Sequence, residues 1–260
     1  MKKIYIPFFI IIIYVLATAV NVSGGHIKDM SFIDFLIIMF AGNKYSQTTK
    51  DMTDIIFSVP MIYLFINIYV SVLVGYVYQE ELDVYGTNYL LKRKSRANWW
   101  RTIWFKCLLV ILKLYMVCIL TLFIVSIFFG GLTFDFDYEI LMTIYGDGDF
   151  LKEKIEIDSV FIVVACMVMP VLVSIADSCI QLVISCASAP IYGVVMVAII
   201  LVISVYCCNN LLIGNYWMLL RSEVVVTNTV NMYFGVVAMS MIIFSGYFLG
   251  RIIFRKKDFY

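Results

Sequence analysis

YQEELDVYGTNYLLKRKSRANWWRTIWFK, Tyr78–Lys106, holds six bases and three acids between two long apolar runs. It opens acidic at Glu80, Glu81 and Asp83, and ends basic from Lys92 to Lys106 with Trp99, Trp100 and Trp104 interleaved. Tryptophan belongs at the headgroup level of a bilayer, and lysine and arginine gather on the cytoplasmic side. Such a stretch therefore predicts a cytoplasmic loop whose two flanks are membrane spans. Read as a helix, Asn98–Lys106 would lie along the inner interface before entering the following span. Glu80 and Glu81 exceed what an anchor to anionic lipid needs, because acids gain nothing beside such lipid. They suggest a docking surface for a soluble partner.

Outward from this loop the chain is overwhelmingly apolar. Hydrophobic residues make up 63% and charged residues 14% of the 260, against about 45–50% and about 25% in soluble domains. The mean hydropathy is +0.97. A span needs about 20 predominantly apolar residues, and six segments qualify: Ile4–Val22, Ile55–Tyr78, Thr102–Phe129, Ser159–Ser185, Ile191–Cys208 and Met232–Phe254. With the N-terminus inside, the inner segments carry 12 of the 19 bases, and the outer loops carry 13 of the 18 acids. The expected fold class is an all-α integral membrane protein, residues 1–260 forming one transmembrane domain. It has six transmembrane helices, N- and C-termini cytoplasmic, and short interfacial helices. Lys2-Lys3, the apolar run and Ala17-Thr18-Ala19 also resemble a signal peptide, but the apolar run continues past that site, which favours a retained first helix.

Two outer-loop stretches are too short to span and too apolar for free loops. SFIDFLIIMFAG, Ser31–Gly42, predicts an interfacial or re-entrant helix. LLIGNYWMLL, Leu211–Leu220, reads the same way, with Tyr216 and Trp217 suited to the headgroup zone. Arg221 counts among the outer-loop bases. Gly146–Asp149, GDGD, lacks the twelve-position calcium pattern and reads as a solvated turn. Pro60 and Pro170 fall inside predicted spans and are expected to kink them, while Pro7 lies near a span start.

The absent motifs are informative. No GxxxxGK[ST], HExxH or GxSxG occurs, and His26 is the sole histidine. The seven cysteines show no zinc spacing and read as small packing residues. No metal site or catalytic constellation is expected, and a net charge of +1 gives no field to attract nucleic acid. Two ionisable groups fall within spans. Lys113 and Asp177 lie about ten residues from the inner ends of successive antiparallel helices, so they are expected to pair or to line a pathway. The alternative for Lys113 is snorkelling to the inner surface.

The chain resembles the permease subunits of type-2 ABC (ATP-binding cassette) exporters. The resemblance is carried by Glu80-Glu81, then Gly86, then the basic turn with Arg93 and Ser95-Arg96, then Lys106 opening a span. CIQLVISCASAPIYGVVMVAIILVISVY, Cys179–Tyr206, where two spans meet through a nearly uncharged inner link, and the ending GYFLGRIIFRKKDFY carry it too. It implies a multi-pass plasma-membrane permease that exports a hydrophobic or amphipathic peptide, lipid or drug. The permease would pair with a second permease subunit in a homo- or heterodimer. A cytoplasmic ABC ATPase would supply ATP and magnesium, with no cofactor bound by this chain. Glu80, Glu81, Gly86, Arg93, Arg96 and Lys106 would form the ATPase-coupling surface. The other readings are a bacteriocin-immunity or sensor membrane protein acting without an ATPase, and a membrane-embedded enzyme.

Overall fold

Arg96–Phe129 contains no glycine or proline, and the computed structural model forms it into one uninterrupted 34-residue helix. At about 1.5 Å per residue it is about 51 Å long, well beyond a hydrocarbon core of about 30 Å. The structure describes residues 6–22, 30–42, 60–83, 95–129, 133, 135–145, 151–152, 157–227 and 229–256. In order the helices are α1 Ile6–Val22, α2 Phe32–Phe40, α3 Met61–Asp83, α4 Arg96–Phe129, α5 Tyr138–Tyr145, α6 Ser159–Met167, α7 Met169–Ala187, α8 Pro190–Tyr206 and α9 Met232–Lys256. Among the described residues there is no strand, only isolated bridges at Leu151–Val226 and Ser222–Val230.

Four of these paths are long and apolar enough to cross a membrane: α3, α4, the α6–α7 pair and α9. The chain is therefore an all-α protein of membrane type. The other two long apolar helices, α1 and α8, have 17 residues each, the lower end of what a span requires. α7 is the hub and packs against α3, α4, α8 and α9.

Both prolines act at helix boundaries. Pro60 precedes α3 and accepts from Leu64 N through its carbonyl at 3.1 Å, so it starts the helix instead of bending it. Pro170 has no N–H to donate to the preceding turn. α6 accordingly ends at Met167, and α7 starts at Met169 with the proline in its first turn.

Asn98–Lys106 is not a separate interfacial helix. Nothing in its sequence breaks helix propagation, so it forms the first turns of α4 itself. Trp99 and Trp100 turn inward and are 1% exposed. Trp100 Nε1 donates to the Tyr247 carbonyl at 3.0 Å, and the Trp99 ring meets Phe254 edge-on at 5.0 Å. α9 can come this close because residue 250 is glycine; a β-carbon there would collide with the Trp100 ring.

α2 is buried along its whole length, against α1, α4, α5 and α6. Its nine residues cover about 14 Å, too little to span. It packs inside the bundle, with no face left open. Ser31 and Asp34 form a reciprocal cap, Asp34 N donating to Ser31 Oγ at 3.1 Å and Ser31 N to Asp34 Oδ2 at 2.7 Å. Gly42 ends the segment at φ +73°, a left-handed conformation that suits glycine, packed on Met218. Within Leu211–Leu220, the stretch Ile213–Leu220 likewise turns inward, while Leu211 stays exposed. It forms 3₁₀ turns at Ile213–Trp217 and Leu219–Arg221. Trp217 is fully buried between Phe40 and Tyr63, at ring distances of 5.0 and 5.3 Å, and is no headgroup anchor.

Candidate functional site

α7 carries Ser174, Asp177, Ser178, Gln181 and Ser185 on one face, the spacing of a single helical stripe. All five are buried. α3 opposes them with Asn67 and Ser71, also buried. In an apolar bundle an amide or hydroxyl inside the protein must find a partner, since lipid offers none. The seam obeys this. Trp217 Nε1 donates to Tyr115 Oη at 3.0 Å, Tyr115 Oη lies 2.7 Å from Ser174 Oγ, Ser174 Oγ donates to Asn67 Oδ1 at 3.1 Å, and Asn67 Nδ2 donates to the Tyr63 carbonyl at 2.9 Å. Because Ser174 donates to Asn67, Tyr115 must donate to Ser174, and every hydroxyl in the chain of bonds points the same way. One turn along, Ser71 Oγ donates to Gln181 Oε1 and Gln181 Nε2 returns to the Ser71 carbonyl, both at 2.8 Å.

Asp177 is the exception. It is 4% exposed, and neither carboxylate oxygen has a hydrogen-bond partner. It sits in a tightly packed polar cluster with Asn67, Ser71, Ser174, Ser178 and Gln181. Lys113 does not pair with it. The inward stripe of α4 is Ile111, Leu114, Tyr115 and Cys118, and position 113 falls on the far side of the helix, exposed. The expected pairing failed on helical phase: equal depth along two helices does not bring side chains together when one of them points away.

Two of the predicted loop residues do meet. Glu81, in the last turns of α3, forms an ion pair with Lys106 of α4. Glu81 is buried, whereas the Lys106 side chain is 46% exposed. Glu81 therefore cannot be presented to a soluble partner as the sequence suggested. Helical phase turns it inward and leaves Glu80 and Asp83 exposed. Arg96 Nη1 donates to the Arg255 carbonyl at 3.1 Å, joining the start of α4 to the end of α9. Gly86 and Arg93, like Gly146–Asp149, lie outside the described residues.

The residue that sequence reasoning missed is Arg221. Counted as an outer-loop base, it is 1% exposed. Its Nη1 donates to Asn215 Oδ1 at 2.6 Å and to the Ser204 carbonyl, and its Nη2 donates to the Val205 carbonyl at 2.6 Å. A cation at the C-terminal end of a helix satisfies carbonyls that have no partner within the helix and opposes the helix dipole. The only sequence signal was its place directly after an apolar run. The seven cysteines are free thiols, and no group of three or more metal-binding side chains occurs among the described residues. No family model, curated protein or solved structure matches the chain.

Proposed function

We propose that this chain is the permease subunit of an ATP-driven transporter of the ABC exporter type. In this reading it is a six-span, multi-pass plasma-membrane protein with both termini in the cytoplasm, acting as a dimer of permease subunits. The end that bears Glu81, Lys106 and the arginines faces the cytoplasm. A separate ATPase subunit binds and hydrolyses ATP with magnesium. The cargo is a hydrophobic or amphipathic molecule, and Asp177 with its polar neighbours lines the path.

The observation that carries the reading is the Glu81–Lys106 pair. It ties the last turn of α3 to the third turn of α4, the two helices on either side of the stretch 84–94. A push on that stretch is thereby passed to both helices together, which is what coupling to a partner's closure requires. Glu80 and Asp83 stay exposed beside it and offer carboxylates to a soluble partner.

Purifying the tagged chain from its own cells tests the proposal. An ATP-hydrolysing subunit should co-elute in fixed ratio, and Glu80→Ala with Asp83→Ala should lower that ratio while leaving insertion intact. A chain that carries out its cellular role with no nucleotide-binding partner would instead support the immunity or sensor reading. A reporter after Tyr260 should be cytoplasmic and one near Gly148 external; the reverse overturns the topology.

A further inference from the structure

A carboxyl group enclosed between helices is tolerated beside a cation, under hydrogen-bond donors, or with a proton of its own. Around Asp177 the first two are missing among the described residues. Lys113 lies on the far side of α4, and Arg221 donates to Asn215 and to the Ser204 and Val205 carbonyls. The nearby hydroxyls are engaged elsewhere: Ser71 donates to Gln181, Ser174 to Asn67, and Ser178 to the Ser174 carbonyl at 2.7 Å. Neither carboxyl oxygen of Asp177 receives a hydrogen bond. The titratable groups that face it bring no charge. α3 contributes the Tyr63 phenol, and α4 the Tyr115 phenol with the Cys107 and Cys118 thiols on the same inward stripe. α8 contributes the apolar Val197, α9 buries no titratable side chain, and α6 buries only the Cys166 thiol. The 3₁₀ segment adds Tyr216, which donates to the Asn210 carbonyl, and α7 itself adds the Cys179 and Cys186 thiols. Phenols and thiols are ordinarily neutral at neutral pH.

Room decides which cation completes the site. A metal ion needs space for itself and several oxygens turned toward it. The cluster around Asp177 has no space for even a water molecule. α8 closes it by approaching α7 across Gly193, where a β-carbon would collide with Ser185 and the Gln181 backbone. A proton needs no volume beyond the carboxyl group. We propose that Asp177 is a proton-binding site, holding its proton while the seam between α3 and α7 is packed and releasing it to water when the two helices part. On release the carboxyl O–H bond breaks, its electron pair stays on the carboxylate, and a water molecule takes the proton; closing the seam reverses the step. The neutral acid costs far less to enclose than the anion, so closure of the seam is tied to proton uptake. The site needs no ATPase partner and stands apart from the transport reading.

The test follows chemical unfolding of the full chain in detergent from about pH 5 to about pH 8, beside Asp177→Asn, whose amide stays neutral throughout. An unfolded aspartate is ionised across that window. The wild-type chain therefore takes up a proton on folding, and raising the pH favours unfolding. Per pH unit, the wild-type unfolding constant should rise by up to about tenfold more than that of the variant. Infrared absorption at neutral pH should show a carboxylic-acid carbonyl band that Asp177→Asn lacks. If Asp177→Asn does not accumulate, Asp177→Ser, small and neutral, replaces it in both measurements. Parallel pH dependence in wild type and variant would overturn the site, as would an acid band unchanged by the substitution. Stabilisation of the wild type alone by sodium chloride, and not by choline chloride at the same pH, would give the carboxylate to a metal ion and overturn the proton assignment.

Discussion

The two ends of the bundle are built on opposite plans. At one end α2, the 3₁₀ turns and Arg221 are folded into the protein, every residue of α2 is buried, and the Arg221 cation is sunk among carbonyls. At the other, Arg251 and Arg255 stand at an open rim, Lys106 is half-exposed, and Glu80 and Asp83 face outward. A charge census treats these cations alike. The structure separates them by what they bond: Arg221 neutralises helix-end carbonyls, whereas the rim arginines stand around a cavity. The closed end is expected to matter to stability and, on the reading proposed above, the open end to a partner.

The sharpest way to break that contrast is Arg221→Met. It removes the donors that satisfy Asn215 and the Ser204 and Val205 carbonyls. Stranding buried acceptors costs about 1–3 kcal/mol each, with partial relaxation, so the expected loss is about 3 kcal/mol. It is read as a fall in thermal midpoint or protease resistance in detergent. Arg221→Lys should recover only part, because one ammonium cannot reach all three acceptors in the guanidinium's fork geometry. A loss below that of a surface substitution would show that the closed end is not held by Arg221.

The Glu81–Lys106 pair spans the two plans, with one partner buried and the other half in solvent. The effect should therefore be asymmetric. Lys106→Met strands a buried carboxylate whose Oε2 already lacks a hydrogen-bond partner, and a cost of about 2 kcal/mol is expected. Glu81→Gln leaves a lysine that can turn to water, and screening reduces the cost to about 1 kcal/mol or less. Equal losses in chemical unfolding would mean that Glu81 is more open than its burial implies.

What was legible in the sequence follows the same division. Long apolar runs announce a membrane-type helical protein, and the described helices start and stop near the predicted limits, α4 at Phe129 and α6 at Ser159 among them. Facing was not legible. Hydropathy cannot tell lipid-facing apolar residues from protein-facing ones, so the burial of α2 and Trp217 went unseen. The better signal lay in the sparse polar residues. Ser174, Ser178, Gln181 and Ser185 mark the interior of α7 by their spacing, because only protein can satisfy them at depth. Reading that stripe first would have placed Asp177 inside the seam, among hydroxyls and amides.

The smallest expected effect concerns Lys113, and it discriminates between depth and phase. Lys113→Met should change stability by no more than about 0.5 kcal/mol, as for substitutions away from packed or bonded features. Its side chain lies on the face of α4 opposite Ile111, Leu114 and Cys118. The long stem can carry its charge toward the nearer boundary. Asp177→Asn acts on the other side of that helix, inside the seam. The two changes share no partner, so a double-mutant cycle should close with no interaction term. A coupling of 1 kcal/mol or more, on the order of that between contacting charged groups, would mean that α4 turns about its axis in the working protein and brings Lys113 to Asp177. Strict additivity would leave Asp177 uncoupled from Lys113, and on the transporter reading proposed above, loss of transport in Asp177→Asn without loss of stability would then locate the path on that face of α7.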